Sequence, residues 1–290
     1  MKKDNQSCLT EIVLLGFSDF QSVQELLFSL VLIFYFMALM GNSLILVLIF
    51  LSPALHTPMY FFLWNLSFLE IGYTTTISPK MLVNLLLEKQ SISFWGCGCQ
   101  MCFFLLFGVT ECCLLCVMAV IKPLRHCVPP LIGLGDSISI FTLPFCGSNQ
   151  ISHFFCDLMS VLRLASTNTY KNEVAVAALT VLVDLTPFLL ILFSYTLIIS
   201  TILMMLVAKN RRKAFSTCSS HLTIVFIFYG TVIFTYIHPN SAYSVDNNRF
   251  LGLFYTVVTP SLNPIIYSLR NKEMKAAFMK SVARKQFFLR

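Results

Sequence analysis

Charged residues are scarce in this chain of 290 residues: they make up 11% of it, whereas soluble domains carry about 25%. The sequence has no glycine-rich phosphate loop, no His and Cys set at metal-ligand spacing and no nucleophile triad, so we do not expect an enzyme. It shows no internal repeat. The N-terminus lacks the apolar core and cleavage site of a signal peptide, so we expect the first membrane span to direct insertion.

Hydrophobic residues are abundant instead, at 57% of the chain, and 28 of them are Phe. A membrane-spanning helix needs about 20 mostly apolar residues, and six segments reach or approach that length. We therefore predict an all-α membrane protein whose net charge of +7 reflects basic cytoplasmic loops and not nucleic-acid binding. The six segments are Leu26–Leu51, Pro58–Leu82, Cys97–Ile121, Val174–Ala208, His221–Ile237 with its flanks and Phe250–Leu269.

Residues 127–143 decide the topology, because they contain two prolines, two glycines and Asp136 and reach only about 25 Å as a helix. If they cross the bilayer and the N-terminus is outside, 13 of the 20 Lys and Arg residues lie inside, as the positive-inside rule requires. A chain of six spans with both ends in the cytosol also satisfies the rule. The seven-span and six-span arrangements both stay open on charge alone.

We treat residues 1–290 as one transmembrane domain. In the seven-span arrangement residues 1–25 form an extracellular tail and residues 270–290 a cytoplasmic tail. Asn5, in the triplet "NQS", then becomes a predicted glycosylation acceptor.

Three acidic residues, Glu70, Glu111 and Asp184, fall within apolar runs. An ionisable group at mid-membrane costs several kcal/mol and therefore indicates function. Glu70 and Glu111 lie in consecutive spans that run in opposite directions, so we expect them at similar depth, sharing a proton or a cation. The alternative is that each is neutral and hydrogen-bonded to a neighbouring helix. A small transporter, with the three acids as its proton relay, is an alternative function, although no duplicated half supports it.

Prolines interrupt the last span in "PSLNPIIYSLRN", residues 260–271. Proline frees a backbone carbonyl and kinks a helix, and the bilayer tolerates this only where neighbours supply partners. We expect the amide of Asn263 to bond such a carbonyl. The predicted switch comprises Pro260, Asn263, Pro264 and Tyr267.

Two helical faces predict a mainly apolar ligand pocket. One face lies on the third span at spacing i, i+1, i+4, i+5, and Gly108 leaves a recess in it. The other lies on the sixth span. Ordinary helix packing or lipid contact is the alternative interpretation. The predicted pocket residues are Phe104, Leu105, Gly108, Val109, Tyr229, Val232, Ile233 and Tyr236.

Several long motifs occur together and in order: "LHTPMYFFL" (55–63), "LPFCG" with "HFFCD" (143–157), "KAFSTCSSHL" (213–222) and "PSLNPIIYSLRN" (260–271). With them the sequence resembles a vertebrate olfactory receptor of the rhodopsin-like G-protein-coupled class, from Leu9 to about Lys280. The resemblance implies a seven-helix bundle in the plasma membrane that binds small, mostly apolar odorants between spans three, five and six. It also implies a heterotrimeric G protein of the olfactory type as partner, and no cofactor other than a sodium ion.

The same resemblance assigns individual residues. Glu70, where the family usually has aspartate, and Glu111 match a sodium-binding or protonatable pair, to which we add Asn263. Cys97 is implied to form a disulfide with Cys156. Cys146 has lost its usual partner, because this chain has serine where the family carries another loop cysteine.

One family motif is incomplete. The family pattern M-A-Y-D-R-Y-x-A-I-C-x-P-L is represented here by "MAVIKPL", residues 118–124, and the fourth span is abridged. The absent arginine normally engages the G protein, so we predict an odorant receptor with impaired coupling. The alternative is a truncated receptor that does not signal and is retained in the endoplasmic reticulum or associates with other receptors.

Overall fold

The structure is a computed structural model that describes residues 9–17, 22–87, 90–119, 140–145, 148–204, 207–237, 244–270 and 272–288. Each of the six predicted spans corresponds to a long helix in these ranges. Most of the segment 127–143, which decides the topology, lies outside these ranges, because only residues 140–143 of it are described. Asn5 and Cys146 also lie outside them. The long helices are α1 (Gln24–Leu51), α2 (Pro58–Leu86), α3 (Phe94–Ala119), α5 (Tyr170–Leu203), α6 (Ala208–Ile237) and α7 (244–270).

The described part also contains a 3-10 turn (Pro53–Leu55) and two further α-helices. The short helix α4 (Leu158–Leu162) lies in the loop between α3 and α5, and the terminal helix α8 (Lys272–Phe288) follows α7. Among the described helices, α1, α5 and the segment Phe94–Leu115 of α3 are long and apolar enough to cross a membrane on their own. The large hydrophobic side chains that they expose, such as Phe36 and Phe193, are those expected to face lipid.

The helices pack as a bundle in which α1 contacts α2 and α7, α2 contacts α3, and α3 contacts α5. Helix α6 closes the arrangement by contacting both α5 and α7. The buried core between them contains large aromatic side chains, among them Tyr60, Tyr73 and Tyr255, each at most 2% exposed. The core also buries polar groups, which in a bilayer need protein partners because lipid offers none.

A three-stranded sheet lies at one end of the bundle. Strand β1 (Glu11–Leu14) pairs antiparallel with β2 (Ser91–Ser93), placing Ile12 opposite Ile92, and parallel with β3 (Gln150–Ile151). The disulfide between Cys97 and Cys156, with Cα atoms 5.5 Å apart, joins the start of α3 to the loop that carries β3. The N-terminal segment is therefore folded against the loops that adjoin α3.

Helices α5 and α7 each contain one π-helical turn, Val181–Leu185 and Phe254–Val258, followed directly by the dipeptide Thr-Pro. Proline has no N–H for the carbonyl four residues earlier, and its ring would clash with that carbonyl. In both helices the threonine N–H instead donates to a carbonyl five residues earlier, Val181 O or Phe254 O. The threonine hydroxyl donates to the same oxygen, at 3.2 Å in α5 and 2.9 Å in α7.

Candidate functional site

A cavity of about 90 Å³ lies within the bundle, between α3, α5, α6 and α7. The residues that line it are mostly apolar, and its few polar groups come from α2, α3, α5 and α7. Such concave, mainly apolar sites with a few polar anchors are typical of small-molecule binding. Its lining residues are Tyr73, Phe104, Leu105, Gly108, Val109, Cys112, Leu158, Val176, Leu179, Thr180, Val183, Asp184, Phe228, Val232 and Tyr255.

The predicted face on α3 lines this cavity: Phe104, Leu105, Gly108 and Val109 are all part of its wall. Phe104 packs against Tyr73, with ring centroids 5.2 Å apart, and against Phe155 at 5.1 Å. Gly108 has no Cβ, and one built there would lie 3.6 Å from Cε2 of Tyr73, an ordinary contact distance. The absence of a side chain at this position therefore leaves space that belongs to the cavity.

The predicted face on α6 coincides with the wall of this cavity at Val232, whereas Tyr229 and Ile233 do not line it. The side chain of Tyr229 is fully buried, and its hydroxyl donates to the carbonyl oxygen of Cys112 on α3 at 3.1 Å. A buried hydroxyl needs such a partner, and this requirement fixes the ring between helices instead of at the cavity. The side chain of Tyr236 lies outside the described residues.

Sequence reasoning missed the contribution of the π turns to the cavity wall. Val183 and Asp184 come from the π turn of α5, and Tyr255 from the π turn of α7. A π turn inserts one extra residue into a helix and shifts the face that the following side chains occupy, so 3.6-residue periodicity does not locate them. A Thr-Pro dipeptide follows each of the two turns, but the same dipeptide also stands at Thr57–Pro58 before α2, where no π turn occurs, so it does not locate such turns by itself.

Asp184 makes the most specific polar contact in the wall. One of its carboxyl oxygens, Oδ1, accepts a hydrogen bond from the thiol of Cys112 at 3.2 Å. A thiol is a weak donor and brings no charge. The described part of the chain places no Lys, Arg or His side chain in ion-pair contact with Asp184. The cavity therefore contains a carboxyl group without a counter-charge.

A second polar cluster, here called the acidic cluster, brings the predicted pair Glu70 and Glu111 together with Asn263. Glu70 and Glu111 are 0% and 2% exposed, and their carboxyl groups are in direct electrostatic contact between α2 and α3. Nδ2 of Asn263 on α7 donates to Oε1 of Glu70. Oε2 of Glu70 and Oδ1 of Asn263 have no hydrogen-bond partner among the described residues. Unpaired carboxyl and amide oxygens are the ligands that hard cations prefer, so these residues fit a cation or a shared proton.

Comparison with known proteins agrees with this architecture. A family model described as olfactory receptor matches residues 30–285. The chain belongs to the olfactory receptor family. The human Olfactory receptor 10C1 is 48% identical over 96% of each chain, and the human Olfactory receptor 10AG1 is 46% identical over 94% of this chain and 99% of its own length. The crystal structure of squid rhodopsin shares the fold, with a TM-score of 0.63, 16% identity and coverage of 91% of this chain and 86% of its own.

The receptor is shorter than its relatives. The alignment with Olfactory receptor 10AG1 runs over 297 positions, yet it covers 94% of this chain of 290 residues, which is about 273 residues. About 24 positions of that alignment therefore have no counterpart in this receptor.

The backbone carbonyl that Pro264 frees in the predicted switch accepts a hydrogen bond from a different residue than expected. Pro264 leaves the carbonyl of Pro260 without its usual helical donor. That carbonyl accepts from Nδ2 of Asn42 on α1 at 3.3 Å, whereas the amide of Asn263 is engaged with Glu70. The expectation that Asn263 bonds the freed carbonyl is therefore wrong, because a buried carboxylate is the stronger acceptor for that amide. The side chain of Tyr267 lies outside the described residues.

Proposed function

We propose that the cavity lined by α3, α5, α6 and α7 is the odorant site of this olfactory receptor. The observation that carries the proposal is the cavity itself, which is walled by aromatic and aliphatic side chains, including Phe104, Val109 and Val232. Ligand pockets for drug-sized molecules measure about 300–1,000 Å³, so a cavity of about 90 Å³ suits a compact ligand. Burial of apolar surface supplies the affinity and the polar groups in the wall fix the orientation.

A pair of matched glycine variants tests this site. Gly108→Leu puts an isobutyl group into the recess on α3, and we expect it to lower odorant binding at least about tenfold by filling the cavity. Gly230→Leu is the control: it makes the same change on α6, where a Cβ would meet no atom within 4 Å. Binding is read from ligand-induced thermal stabilisation of the purified receptor. Equal odorant binding by both variants would place the site elsewhere.

We further propose that Glu70, Glu111 and Asn263 hold a sodium ion or a shared proton. Two buried carboxyl groups in contact repel each other when both are charged, so a cation or proton between them is required. If the occupant is sodium, sodium chloride should raise the unfolding temperature above that in choline chloride, and Glu70→Gln should abolish the difference. Stabilisation by sodium that survives in the variant contradicts the assignment, and the same result in both salts favours the proton.

The position of these residues supports a role in switching. The acidic cluster joins α2, α3 and α7, and the bond from Asn42 to Pro260 joins α1 to the same segment of α7. A ligand can shift a receptor between two states only by its differential affinity for them. We propose that Pro260, Asn263, Pro264 and Tyr267 form the element of α7 whose position differs between those states.

Coupling is proposed to be impaired, because the aspartate–arginine–tyrosine segment is absent from "MAVIKPL". A lysine or arginine near a helix end does not replace the planar fork of a buried arginine. Inserting the family's missing residues after Ala119 should restore odorant-dependent cAMP production through an olfactory-type G protein. If the restored receptor reaches the cell surface, binds odorant and still does not signal, the missing segment is not the cause.

The proposed location is the plasma membrane, with the N-terminus outside. Glycosylation of Asn5 together with cytosolic labelling of residues 209–213 is the expected result for seven spans. Labelling of both on the same side of the membrane contradicts this topology. Retention in the endoplasmic reticulum is a second candidate outcome, favoured by the roughly 24 alignment positions that this chain lacks.

A further inference from the structure

The odorant cavity contains an ionisable group that its apolar surroundings do not explain. Asp184 lines the wall, and its side chain is half-buried there. Its hydrogen-bond partner, the thiol of Cys112, donates to one carboxyl oxygen at 3.2 Å but supplies no positive charge. A charge withdrawn from water costs free energy unless it is paired, and the described residues offer no cation to Asp184.

A second acceptor lies in the same wall. The hydroxyl of Tyr255 is buried and has no hydrogen-bond partner among the described residues. Asp184 and Tyr255 both come from π turns, which place them on the cavity side of α5 and α7. A carboxyl group and a tyrosine residue from two different helices therefore border a small, mainly apolar space.

We infer that the ligand of this receptor carries a basic nitrogen, so that a compact aliphatic amine binds with its ammonium group on Asp184 and its hydrocarbon part against the α3 face. This inference rests on the proposed odorant site and names the class of molecule that it takes. An ammonium group is a donor only, with three N–H bonds, and matches a carboxylate that lacks a counter-charge. A carboxylic acid is excluded from this position by repulsion from Asp184, and an alcohol or ketone leaves the charge uncompensated.

The volume of the cavity limits the size of the amines that fit. About 90 Å³ accommodates a short branched or cyclic hydrocarbon group, and Phe104, Val109 and Val232 provide apolar contacts for it. Gly108 leaves the recess in which such a group would lie. The site therefore combines one charged anchor with shape selection by aromatic and aliphatic walls.

The test compares three probes of nearly equal shape: cyclohexylamine, cyclohexanol and cyclohexanone. Each is titrated against the purified receptor in lipid nanodiscs, and the dissociation constant is taken from the ligand-dependent shift of the unfolding temperature. We expect cyclohexylamine to bind the unaltered receptor most tightly. Removing one partner of a buried charge pair weakens binding by about 30-fold or more, so Asp184→Asn should do this to cyclohexylamine and leave cyclohexanol within about threefold.

Two further variants make the result interpretable. Glu173→Gln is the control, because it removes an exposed carboxylate from the same helix. Glu173 accepts a hydrogen bond from Thr169 and lies outside the cavity, so this variant should bind all three probes with unchanged affinity. Asp184→Ser is a second charge-removing variant, to be used if Asp184→Asn does not fold. The serine hydroxyl can still accept a hydrogen bond from the thiol of Cys112. Retained binding of cyclohexanol shows that either variant is folded.

The outcomes separate this inference from the proposed function. An amine that binds the unaltered receptor no better than cyclohexanol, or that binds the charge-removing variants as well as the parent, overturns the amine assignment. If Gly108→Leu at the same time abolishes binding of all three probes, the cavity remains the odorant site and only the ligand class is wrong. If Gly108→Leu changes no probe's affinity, the odorant site itself is wrong.

Discussion

The contact between Gly41 on α1 and Pro264 on α7 gives a sharp test of the helix packing. A Cβ atom built at Gly41 would lie 2.7 Å from Cβ and 3.0 Å from Cγ of Pro264. Atoms at that distance repel strongly, and a proline ring has no side-chain rotation by which to move away. Gly41→Ala should therefore push α1 away from the proline-containing segment of α7.

The expected change in the free energy of unfolding follows from two opposing effects. Replacing glycine by alanine within a helix stabilises it by about 0.5–1 kcal/mol, because alanine loses less backbone freedom on folding. Overpacking a tight contact costs about 1–3 kcal/mol. Gly230→Ala isolates the first effect, because a Cβ there meets nothing within 4 Å. The difference between the two variants should thus equal the steric cost, about 1–3 kcal/mol, or an unfolding temperature about 3–10 °C lower for Gly41→Ala.

The assay is thermal unfolding of both purified variants in the same detergent, followed by intrinsic fluorescence and by loss of the monodisperse peak. Gly230→Ala should unfold at or above the temperature of the parent, and Gly41→Ala below it. Coincident unfolding temperatures for the two variants would refute the close approach of α1 and α7 and, with it, the position of Pro264 against α1.

Three other substitutions test separate contacts. Cys97→Ser removes a disulfide that joins residues 59 positions apart in sequence. It should lower the free energy of unfolding by about 4 kcal/mol, which is measured as a lower midpoint of unfolding in denaturant. An unchanged midpoint would mean that the bond is not formed. Tyr229→Phe removes the hydrogen bond to the Cys112 carbonyl and should cost about 1 kcal/mol in the same measurement, while a neutral effect would contradict that bond. Asn42→Ala leaves the Pro260 carbonyl unpaired and should cost about 1–3 kcal/mol, whereas added stability would show that another donor reaches it.

The spans and the acidic pair were predictable because they depend on properties that a linear sequence displays. An apolar run of about 20 residues predicts a helix of membrane length regardless of what packs against it. Glu70 and Glu111 meet because consecutive antiparallel spans bring residues at equal depth together, and a membrane leaves two carboxyl groups few partners other than each other and Asn263.

The cavity wall was only partly predictable, because three-dimensional partners decide which side chains reach it. Regular periodicity located the face of α3, which contains no irregular turn, but it failed on α5 and α7, where a π turn shifts the register. On α6 the predicted face and the cavity wall share Val232, whereas Tyr229 is bonded to the Cys112 carbonyl, 117 residues away in sequence. No periodicity reveals such a bond.

The cavity and the acidic cluster meet on one turn of α3. Glu111 faces Glu70, while its neighbour Cys112 donates to Asp184 in the cavity wall, and adjacent helical residues point about 100° apart. The carbonyl of Cys112 also accepts from Tyr229, so the same turn is bonded to α6. One turn of α3 therefore contacts the cavity wall, the acidic cluster and α6 at once, so a ligand proposed to bind in the cavity would lie next to groups that are bonded to both.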